Sequence, residues 1–274
     1  MTAQPFIPVA ALGYGFAPGA HLLEPDDGLD GRTLTLRFGD ETVTLTVDGT
    51  RAGWTGIAAE TSVPVRITSI RPGVYFVDRG IAPEDGRVPS VTFVIDLELG
   101  RATRVVGELP TAAQAAESAY TRVQRGDDPT LVTARVDHGT VVDPAAPAPG
   151  AEHGPTDELV GLRNRYTYSP QEQYEHVYFS PTLYAWHCVT GVERDLADVD
   201  LCRAYRIRQG LYLFEWREKI VPTLGLILID LDGLRTDGKI CGFGEFDGAT
   251  LANFPVGAFA EILGRTEHPA AVGP

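Results

Sequence analysis

Apolar and polar side chains alternate along several stretches of this chain, and this period of two is the feature that most restricts its fold. In Thr33–Phe38 the apolar residues are separated by Thr or Arg, and in Thr42–Val47 they are separated by Thr. Such a segment has one apolar and one polar face, as a half-buried antiparallel strand does. Similar segments recur about every ten residues, with Gly, Pro or Asp between them. The pattern predicts a mainly β chain folded as a barrel or a sandwich.

The two halves of the chain repeat one another. The matches, in the same order in both halves, are Leu29–Phe38 with Leu159–Tyr168, Trp54 with Trp186, Thr68–Arg79 with Tyr205–Arg217, and Val91–Val105 with Leu224–Ile240. The matched segments lie about 130 to 137 residues apart. Collinear matches of this kind indicate that a unit of about eight short strands has been duplicated. Convergent strand patterning is the alternative explanation.

A proline-rich segment, Asp143–Glu158, divides the chain near its middle. It contains four prolines and shows no apolar periodicity, which is typical of a semi-rigid linker. We therefore predict a β-barrel domain in residues 1–142, a linker over 143–158 and a second β-barrel domain in 159–274. The best helical stretch is Ala112–Val123, which is rich in Ala and free of Gly and Pro.

The composition excludes several classes of protein. With 37 acidic and 23 basic side chains, the formal net charge is −14, so the chain lacks the basic surplus that binding to nucleic acid or an anionic membrane requires. Residues 1–12 do not resemble a leader peptide, and no stretch approaches the ~18 apolar residues of a membrane span. The cysteines (Cys188, Cys202 and Cys241) show no C-x-x-C spacing, which disfavours a disulfide framework or a zinc ribbon. We expect a soluble, cytoplasmic protein.

Common catalytic motifs are absent from the sequence. There is no G-x-S-x-G elbow, no H-E-x-x-H pair and no phosphate-binding loop. The glycines of Gly242–Gly248 have the wrong spacing for a dinucleotide fingerprint, and they lie in a β-rich context. We therefore predict no nucleotide cofactor and no other cofactor.

The densest group of reactive side chains lies in Gln173–Val189, whose sequence is QYEHVYFSPTLYAWHCV. Ser and Pro occupy the first two positions of a predicted type I turn over 180–183. A four-residue loop there pairs Phe179 with Tyr184, and it consequently places His176 opposite His187. A one-residue bulge would destroy this register.

In that register the two faces of the hairpin carry different chemistry. One face holds Tyr174, His176, Tyr178 and His187, and the other holds Glu175, Val177, Phe179, Tyr184, Trp186 and Cys188. If the first face lines the barrel, its side chains can transfer a proton or hold a metal, although two histidines alone are a poor metal set. If the second face does, burial raises the pKa of Glu175 towards that of a general acid. Alternatively, the histidines face solvent or the other domain, and Glu175 pairs with Arg203 or Arg217.

A second aromatic stripe runs along Leu211–Lys219. Tyr212, Phe214, Trp216 and Glu218 share one side of this predicted strand. A stripe that ends in a carboxylate suits the wall of a pocket for a flat organic ligand. It suits an ordinary barrel core equally well.

Several runs of residues resemble the MoaF family. Leu159–Pro170, Tyr174–Phe179, Tyr184–Gly191, Leu196–Cys202, Leu211–Leu231 and Asn253–Leu263 look like its C-terminal domain, and Gly15–Pro25, Leu29–Phe38 and Ser69–Asp78 look like its N-terminal domain. The resemblance extends from about residue 10 to residue 263, and the YEH, WHC and WREKIVPTLG runs are its most specific parts. It implies a calycin or lipocalin-like β-barrel in each half, and it does not supply a reaction.

Glu215 departs from the family pattern, in which we expect an aliphatic residue at this position. Because a carboxylate in an apolar core is costly, we expect the side of the strand that carries Leu211, Leu213 and Glu215 to face at least partly outward. The family is customarily labelled molybdenum cofactor biosynthesis protein F. The sequence has no phosphate loop, C-terminal Gly-Gly or cysteine pair that would support a role with molybdopterin.

The sequence therefore predicts two tandem antiparallel lipocalin-like barrels, of which the second carries the site. The predicted catalytic residues are Glu175, His176, His187 and Glu218, and the predicted substrate-binding residues are Tyr178, Trp186, Tyr212, Trp216 and Arg203. The expected function is a non-redox acid–base reaction, of lyase, isomerase or cyclase type, on a small aromatic or amine-derived metabolite. The alternatives are a non-catalytic lipocalin-like carrier and an accessory factor in molybdenum cofactor metabolism. We expect a small-molecule ligand and no nucleic-acid or membrane partner. Whether the chain forms a homo-oligomer is left open by the sequence.

Overall fold

The computed structural model describes residues 5–79, 89–142 and 150–267, and most of them lie in antiparallel strands. The first half contains α1 (Val9–Phe16), β1 (Thr33–Phe38), β2 (Glu41–Asp48), β3 (Arg51–Trp54), β4 (Glu60–Pro64), β5 (Arg66–Arg71), β6 (Val74–Asp78), β7 (Ser90–Asp96), β8 (Arg101–Glu108), α2 (Ala112–Ala115), α3 (Ala119–Gln124) and β9 (Thr133–Val142). The second half contains β10 (Gly154–Pro155), β11 (Leu162–Thr167), β12 (Gln173–Ser180), β13 (Leu183–Thr190), β14 (Ala197–Arg208), β15 (Leu211–Glu218), β16 (Thr223–Asp230), β17 (Arg235–Phe243) and β18 (Leu251–Arg265). The predicted mainly β class is confirmed.

Each half forms one nine-stranded sheet that curls into a barrel. The strand order is β4-β3-β2-β1-β9-β8-β7-β6-β5 in the first barrel and β10-β14-β13-β12-β11-β18-β17-β16-β15 in the second. Pairing between β14 and β15 closes the second barrel. The prediction of two tandem antiparallel lipocalin-like β-barrels is therefore confirmed.

The two strand orders are the same once β10 is set aside and β4 and β5 together are equated with β14. The long β14 pairs first with β13 and then with β15, whereas Val65 separates β4 from β5 in the first barrel. Trp54 lies on β3 and Trp186 on the corresponding β13. The sequence matches thus occupy corresponding strands, as a duplication predicts.

The alternation of side chains explains which strands face solvent. On β2, Val43, Leu45 and Val47 are buried, and the residues between them are more exposed. On β7 and β16 every residue is buried. These two strands are covered on both faces, because one face lines a barrel and the other meets the neighbouring barrel.

The two barrels pack together through the outer faces of neighbouring strands. This interface contains Val74, Phe76, Val94 and Val105 of the first barrel and Leu211, Leu213, Leu224, Leu226 and Leu228 of the second. Glu215 belongs to the same outer face of β15, and it is only 2% exposed. The expectation that this side faces out of its own barrel is confirmed, but the first barrel covers it.

The two helices that follow β8 differ from the single helix expected over Ala112–Val123. The Thr111 side chain caps the start of α2. The Ser118 hydroxyl then accepts a hydrogen bond from the backbone N–H of Thr121 at 3.1 Å and begins α3. Because Ser favours the start of a helix over its interior, the expected single helix is wrong.

The predicted linker over 143–158 is described only from Gly150 onward, and residues 143–149 lie outside the described residues. The backbone N–H of Gly150 donates to the Leu99 carbonyl of the first barrel at 2.7 Å. The short β10 pairs with β14 of the second barrel. This part of the segment therefore contacts both barrels. None of the helices in the described ranges is long and apolar enough to cross a membrane, and the cytoplasmic location stays a prediction.

Candidate functional site in the second barrel

The hairpin of β12 and β13 has a register that differs by one residue from the predicted one. Tyr178 pairs with Tyr184 and Ser180 pairs with Leu183, so Phe179 is left over as a bulge. The turn is tighter than the predicted loop, because the Ser180 hydroxyl accepts a hydrogen bond from the backbone N–H of Leu183 at 3.1 Å. The predicted register is wrong, since counting residues cannot reveal a bulge.

This shift separates the two predicted catalytic histidines. His176 lies opposite Trp186, and Glu175 lies opposite His187. His176 is 3% exposed inside the barrel, whereas His187 is exposed. Arg163 donates to the Glu175 carboxylate at 2.6 Å, so Glu175 is ion-paired on the outer face.

The bulge also brings two groups of aromatic residues onto one inner face. The inner face of the hairpin and of β15 carries Tyr174, His176, Tyr178, Tyr184, Trp186, Cys188, Tyr212, Phe214 and Trp216, and apart from His176 these side chains belong to the core of the second barrel. The expectation that the Tyr212-to-Glu218 side of β15 faces inward is confirmed for its aromatic residues. Most of the predicted wall residues therefore surround His176.

Two predicted binding residues lie away from this group. Arg203 is exposed on β14, opposite Glu215 of β15. Tyr212 is buried, and its hydroxyl donates to Glu158 at 2.7 Å. Neither side chain is among the residues that line the cavity described next.

A cavity of about 30 Å³ remains inside the second barrel. Its lining residues are Leu12, Phe16, Tyr168, Tyr174, His176, Tyr184, Trp186, Glu193, Trp216, Glu218 and Ile240. This volume is about that of one water molecule, whereas pockets for small molecules enclose about 300 Å³ or more. The cavity is therefore much smaller than a ligand pocket, and Leu12 and Phe16 of α1 form part of its wall.

His176 is neutral in this environment. Burial lowers its pKa to about 3, because an imidazolium would lose its hydration inside the barrel. The hydroxyls of Tyr178 and Tyr166 lie 2.8 Å apart, and the Tyr178 hydroxyl lies 3.5 Å from His176 Nδ1. A neutral imidazole next to a row of hydroxyls can accept a proton from a ligand.

Two carboxyl groups line the same cavity. Trp216 Nε1 donates to Glu218 at 3.0 Å, and burial, together with the nearby Asp200 and Glu193, raises the pKa of Glu218 well above its usual value. The Tyr174 hydroxyl donates to Glu193 at 3.1 Å, and burial raises the pKa of Glu193 to about 7. The raised pKa favours the protonated form of Glu218, and Glu193 can serve in either form near neutral pH.

The Trp186 side chain is held in place by a neighbouring carboxylate. Trp186 Nε1 donates to Asp200 at 3.0 Å, and Lys219 Nζ lies 3.2 Å from the other oxygen of Asp200. Such a contact fixes the plane of the indole, which an aromatic wall needs if it is to stack on a ligand.

Sequence patterns missed several members of the site. Glu193 lies in the turn between β13 and β14, where no periodicity indicates burial. Leu12 and Phe16 belong to a helix that precedes the first barrel in sequence. An acidic residue directly after a predicted pocket strand is a weak signal for Glu193, and no local signal connects α1 with a barrel so distant in sequence.

The described part of the chain contains no group of three or more His, Cys, Asp or Glu residues that could hold a metal ion.

Comparison with known proteins identifies both halves. The family model for the MoaF N-terminal domain matches residues 4–111, and that for the MoaF C-terminal domain matches residues 153–266. The protein named "Protein MoaF" from Klebsiella aerogenes is 44% identical over 265 residues, which cover 96% of this chain and 97% of that protein. A putative beta-lactamase structure from Burkholderia vietnamiensis aligns with 38% of this chain and 95% of its own at 9% identity, and its TM-score of 0.33 is too low to support any argument. From the two domain matches and the full-length relative, we conclude that the chain belongs to the MoaF family.

Proposed function

We propose that the second barrel binds a small aromatic or amine-derived metabolite and carries out a non-redox acid–base reaction on it, of lyase, isomerase or cyclase type. The observation that carries the proposal is the meeting of His176, Glu193 and Glu218 at one cavity with aromatic walls. A carrier needs one polar anchor in an apolar cup, whereas proton transfer needs two or more ionisable groups that converge.

Burial shifts the pKa values of His176 and Glu218 in opposite directions, and it favours the neutral form of each. Burial lowers the pKa of His176 to about 3, so its imidazole is neutral and its lone pair is free to accept a hydrogen bond, or a proton in the transition state, from an acidic N–H or O–H group of the substrate. Burial raises the pKa of Glu218 and so favours its protonated form, which can give a proton to the leaving or rearranging atom. Pairs of titratable groups whose environments separate their pKa values are a common sign of such a division of roles.

The walls define the class of substrate. Tyr184, Trp186 and Trp216 present aromatic faces on which a planar ring can stack. A protonated amine would be attracted both to these faces and to Glu193 and Glu218 once they ionise. Glu175, His187 and Arg203 have no part in this proposal, because they lie on the outer face.

A role with a phosphorylated cofactor is less well supported. Recognition of phosphate relies on Arg, Lys or a run of backbone N–H groups. Among the described residues that line the cavity, none is Lys or Arg. The family label alone therefore supports the link to the molybdenum cofactor.

A deuterium-incorporation experiment tests the proposed reaction. The full chain is incubated in D2O with a metabolite extract, and mass spectrometry follows compounds that gain deuterium or are converted. We expect His176→Asn and Glu218→Gln to lower the rate about 100-fold or more, the usual size of an acid–base contribution. Glu175→Gln and His187→Asn are matched controls that keep the rate. Unchanged rates in the first pair, or equal losses in the second, would contradict the residue assignment.

A further inference from the structure

Helix α1 fills one end of the second barrel. Its buried residues are Val9, Leu12 and Phe16, and all three belong to the core of that barrel. The Phe16 ring stacks on Tyr168 at a centroid distance of 4.7 Å and meets the edge of Tyr174 at 5.6 Å. An aromatic side chain from the N-terminal segment thus occupies a slot whose walls are aromatic.

This helix has little stability of its own. It has only eight residues and no side-chain cap at its N-terminus, and Gly13 and Gly15 lower its helix propensity further. Its packing therefore holds it in place. The glycines allow that packing, since a Cβ at Gly13 would come within 2.8 Å of the Phe254 ring.

A buried carboxyl group faces the C-terminal end of α1. Glu172 is 1% exposed, and one of its oxygens accepts a hydrogen bond from the backbone N–H of Val192 at 3.0 Å. The other oxygen has no hydrogen-bond partner among the described residues. Burial raises the pKa of Glu172, and the negative end of a helix dipole also disfavours a charged carboxylate at this position.

The closed cavity has room for only about one water molecule. Leu12 and Phe16 form part of the wall of this space, so their withdrawal would join the slot of the Phe16 ring to the cavity that His176 and Glu218 line. We propose that α1 is a displaceable plug, and that the Phe16 ring occupies the subsite that an aromatic ring of the ligand takes when α1 leaves. This inference rests on the proposed binding role of the second barrel.

A reversible disulfide provides the test. A Cβ placed on Gly15 would lie 2.6 Å from Val192 Cγ1, which is close enough for Gly15→Cys and Val192→Cys to form a bridge after small shifts. Oxidation locks α1 onto the barrel and dithiothreitol frees it, so each sample is its own control. Gly15→Cys alone controls for oxidation without a bridge.

Two measurements are made on both redox forms. Calorimetric titration uses benzyl alcohol and benzylamine as probes, which differ in charge and share the ring. We expect oxidation to weaken binding of either probe about tenfold or more, because the competent open state is removed. Acrylamide quenching of tryptophan fluorescence needs no ligand, and we expect oxidation to lower it about threefold or more, since α1 opening exposes Trp186 and Trp216.

Each outcome decides one proposal. Equal quenching and equal probe affinity in the two redox forms would overturn the plug, while probe binding itself would still support the pocket. Lower quenching in the oxidised form, with no probe bound in either form, would support the plug and contradict the proposed binding of aromatic ligands. Phe16→Ala should raise the affinity for benzyl alcohol about tenfold, whereas Tyr14→Ala, on the exposed side of α1, should leave it unchanged.

Discussion

The two barrels share a strand order but enclose different chemistry. The core of the first barrel is largely aliphatic, and its aromatic members are Phe38, Trp54 and Phe93. The core of the second contains Tyr166, Tyr168, Tyr174, Tyr178, Tyr184, Trp186, Tyr212, Phe214 and Trp216. His176 and two carboxyl groups meet beside this second core. The duplicated scaffold thus encloses a mainly aliphatic core beside the buried ion pairs of Arg104 with Glu41 and Asp137 in one copy, and an aromatic core beside the cavity in the other.

The interface between the two barrels also carries signs of the duplication. In the first barrel, Arg71 is the strand partner of Val74, and Val74 is the strand partner of Asp96. The second barrel repeats this arrangement with Arg208, Leu211 and Asp230. Each arginine binds the aspartate of the other barrel, with Arg71 on Asp230 and Arg208 on Asp96. Such reciprocal contacts are those of a two-fold dimer interface. The chain therefore resembles a homodimer whose subunits have been joined.

This symmetry is broken at one pair of positions. Asp78 is the fifth residue of β6 and Glu215 the fifth of β15, while Val105 and Lys239 hold the fifth positions of β8 and β17. Asp78 is neutralised by the buried Lys239. The corresponding partner of Glu215 is Val105, which carries no charge, and Glu215 relies on neighbouring arginines instead.

The largest expected effect comes from breaking the Lys239 contact. Lys239→Met leaves the buried Asp78 without its cation, and we expect it to lower the free energy of unfolding by about 3–5 kcal/mol. Urea denaturation measures the change. Asp78→Leu added to Lys239→Met should restore most of the loss, because it removes the unpaired buried carboxylate and leaves two apolar side chains at this position. A loss of free energy of unfolding below about 1 kcal/mol in the single variant would show that this ion pair contributes too little to stability to distinguish the two barrels.

The reciprocal arginines give the next effect. Arg71→Ala and Arg208→Ala should each lower the free energy of unfolding by about 2–3 kcal/mol, since each leaves a buried aspartate unpaired. The two losses should agree to within about 0.5 kcal/mol, as the two-fold relation requires. Arg206→Ala is the control, because its pair with Glu158 is about half exposed on both sides and should contribute about 0.5 kcal/mol or less. Very unequal losses for Arg71 and Arg208 would argue against a symmetric interface.

Glu215 supplies a pH-dependent difference. Burial raises its pKa from 4.5 to about 7, so between these values only the unfolded chain releases the proton, and stability falls as pH rises. Glu215→Gln should remove this penalty and stabilise the protein by about 3 kcal/mol at pH 8, with no gain near pH 4. Thermal unfolding at both pH values measures the effect. Asp78→Asn, at the corresponding position, should destabilise the protein at both, and a gain from it at pH 8 would count against the broken symmetry.

The sequence predicts the parts of the fold that depend on local periodicity. Alternation along β2 and the repeated segments are sufficient to infer two barrels, and the carboxylate at Glu215 correctly indicates which side of β15 faces inward. The hairpin register fails because the bulge at Phe179 depends on the Ser180 turn. Because the observed register differs by one residue from the predicted one, His187 lies on the outer face of the hairpin.

The rest of the site depends on contacts that no local pattern encodes. Phe16 precedes the whole first barrel in the sequence, and only the tertiary fold brings it to the core of the second barrel. Glu193 becomes part of the cavity through the hydrogen bond with Tyr174, and its turn has no apolar repeat. Both residues are positioned by tertiary packing, which overrides sequence pattern.

The central claim is that the second barrel, and not the first, binds the ligand. The three tryptophans report on this directly. Trp54 Nε1 donates to the Ala58 carbonyl in the first barrel, whereas those of Trp186 and Trp216 donate to Asp200 and Glu218 in the second. Titration of the ¹⁵N-indole-labelled chain with benzylamine should shift the NMR signals of Trp186 and Trp216 and leave that of Trp54 unchanged. A shift of Trp54 alone, or no shift at all three, would contradict the claim.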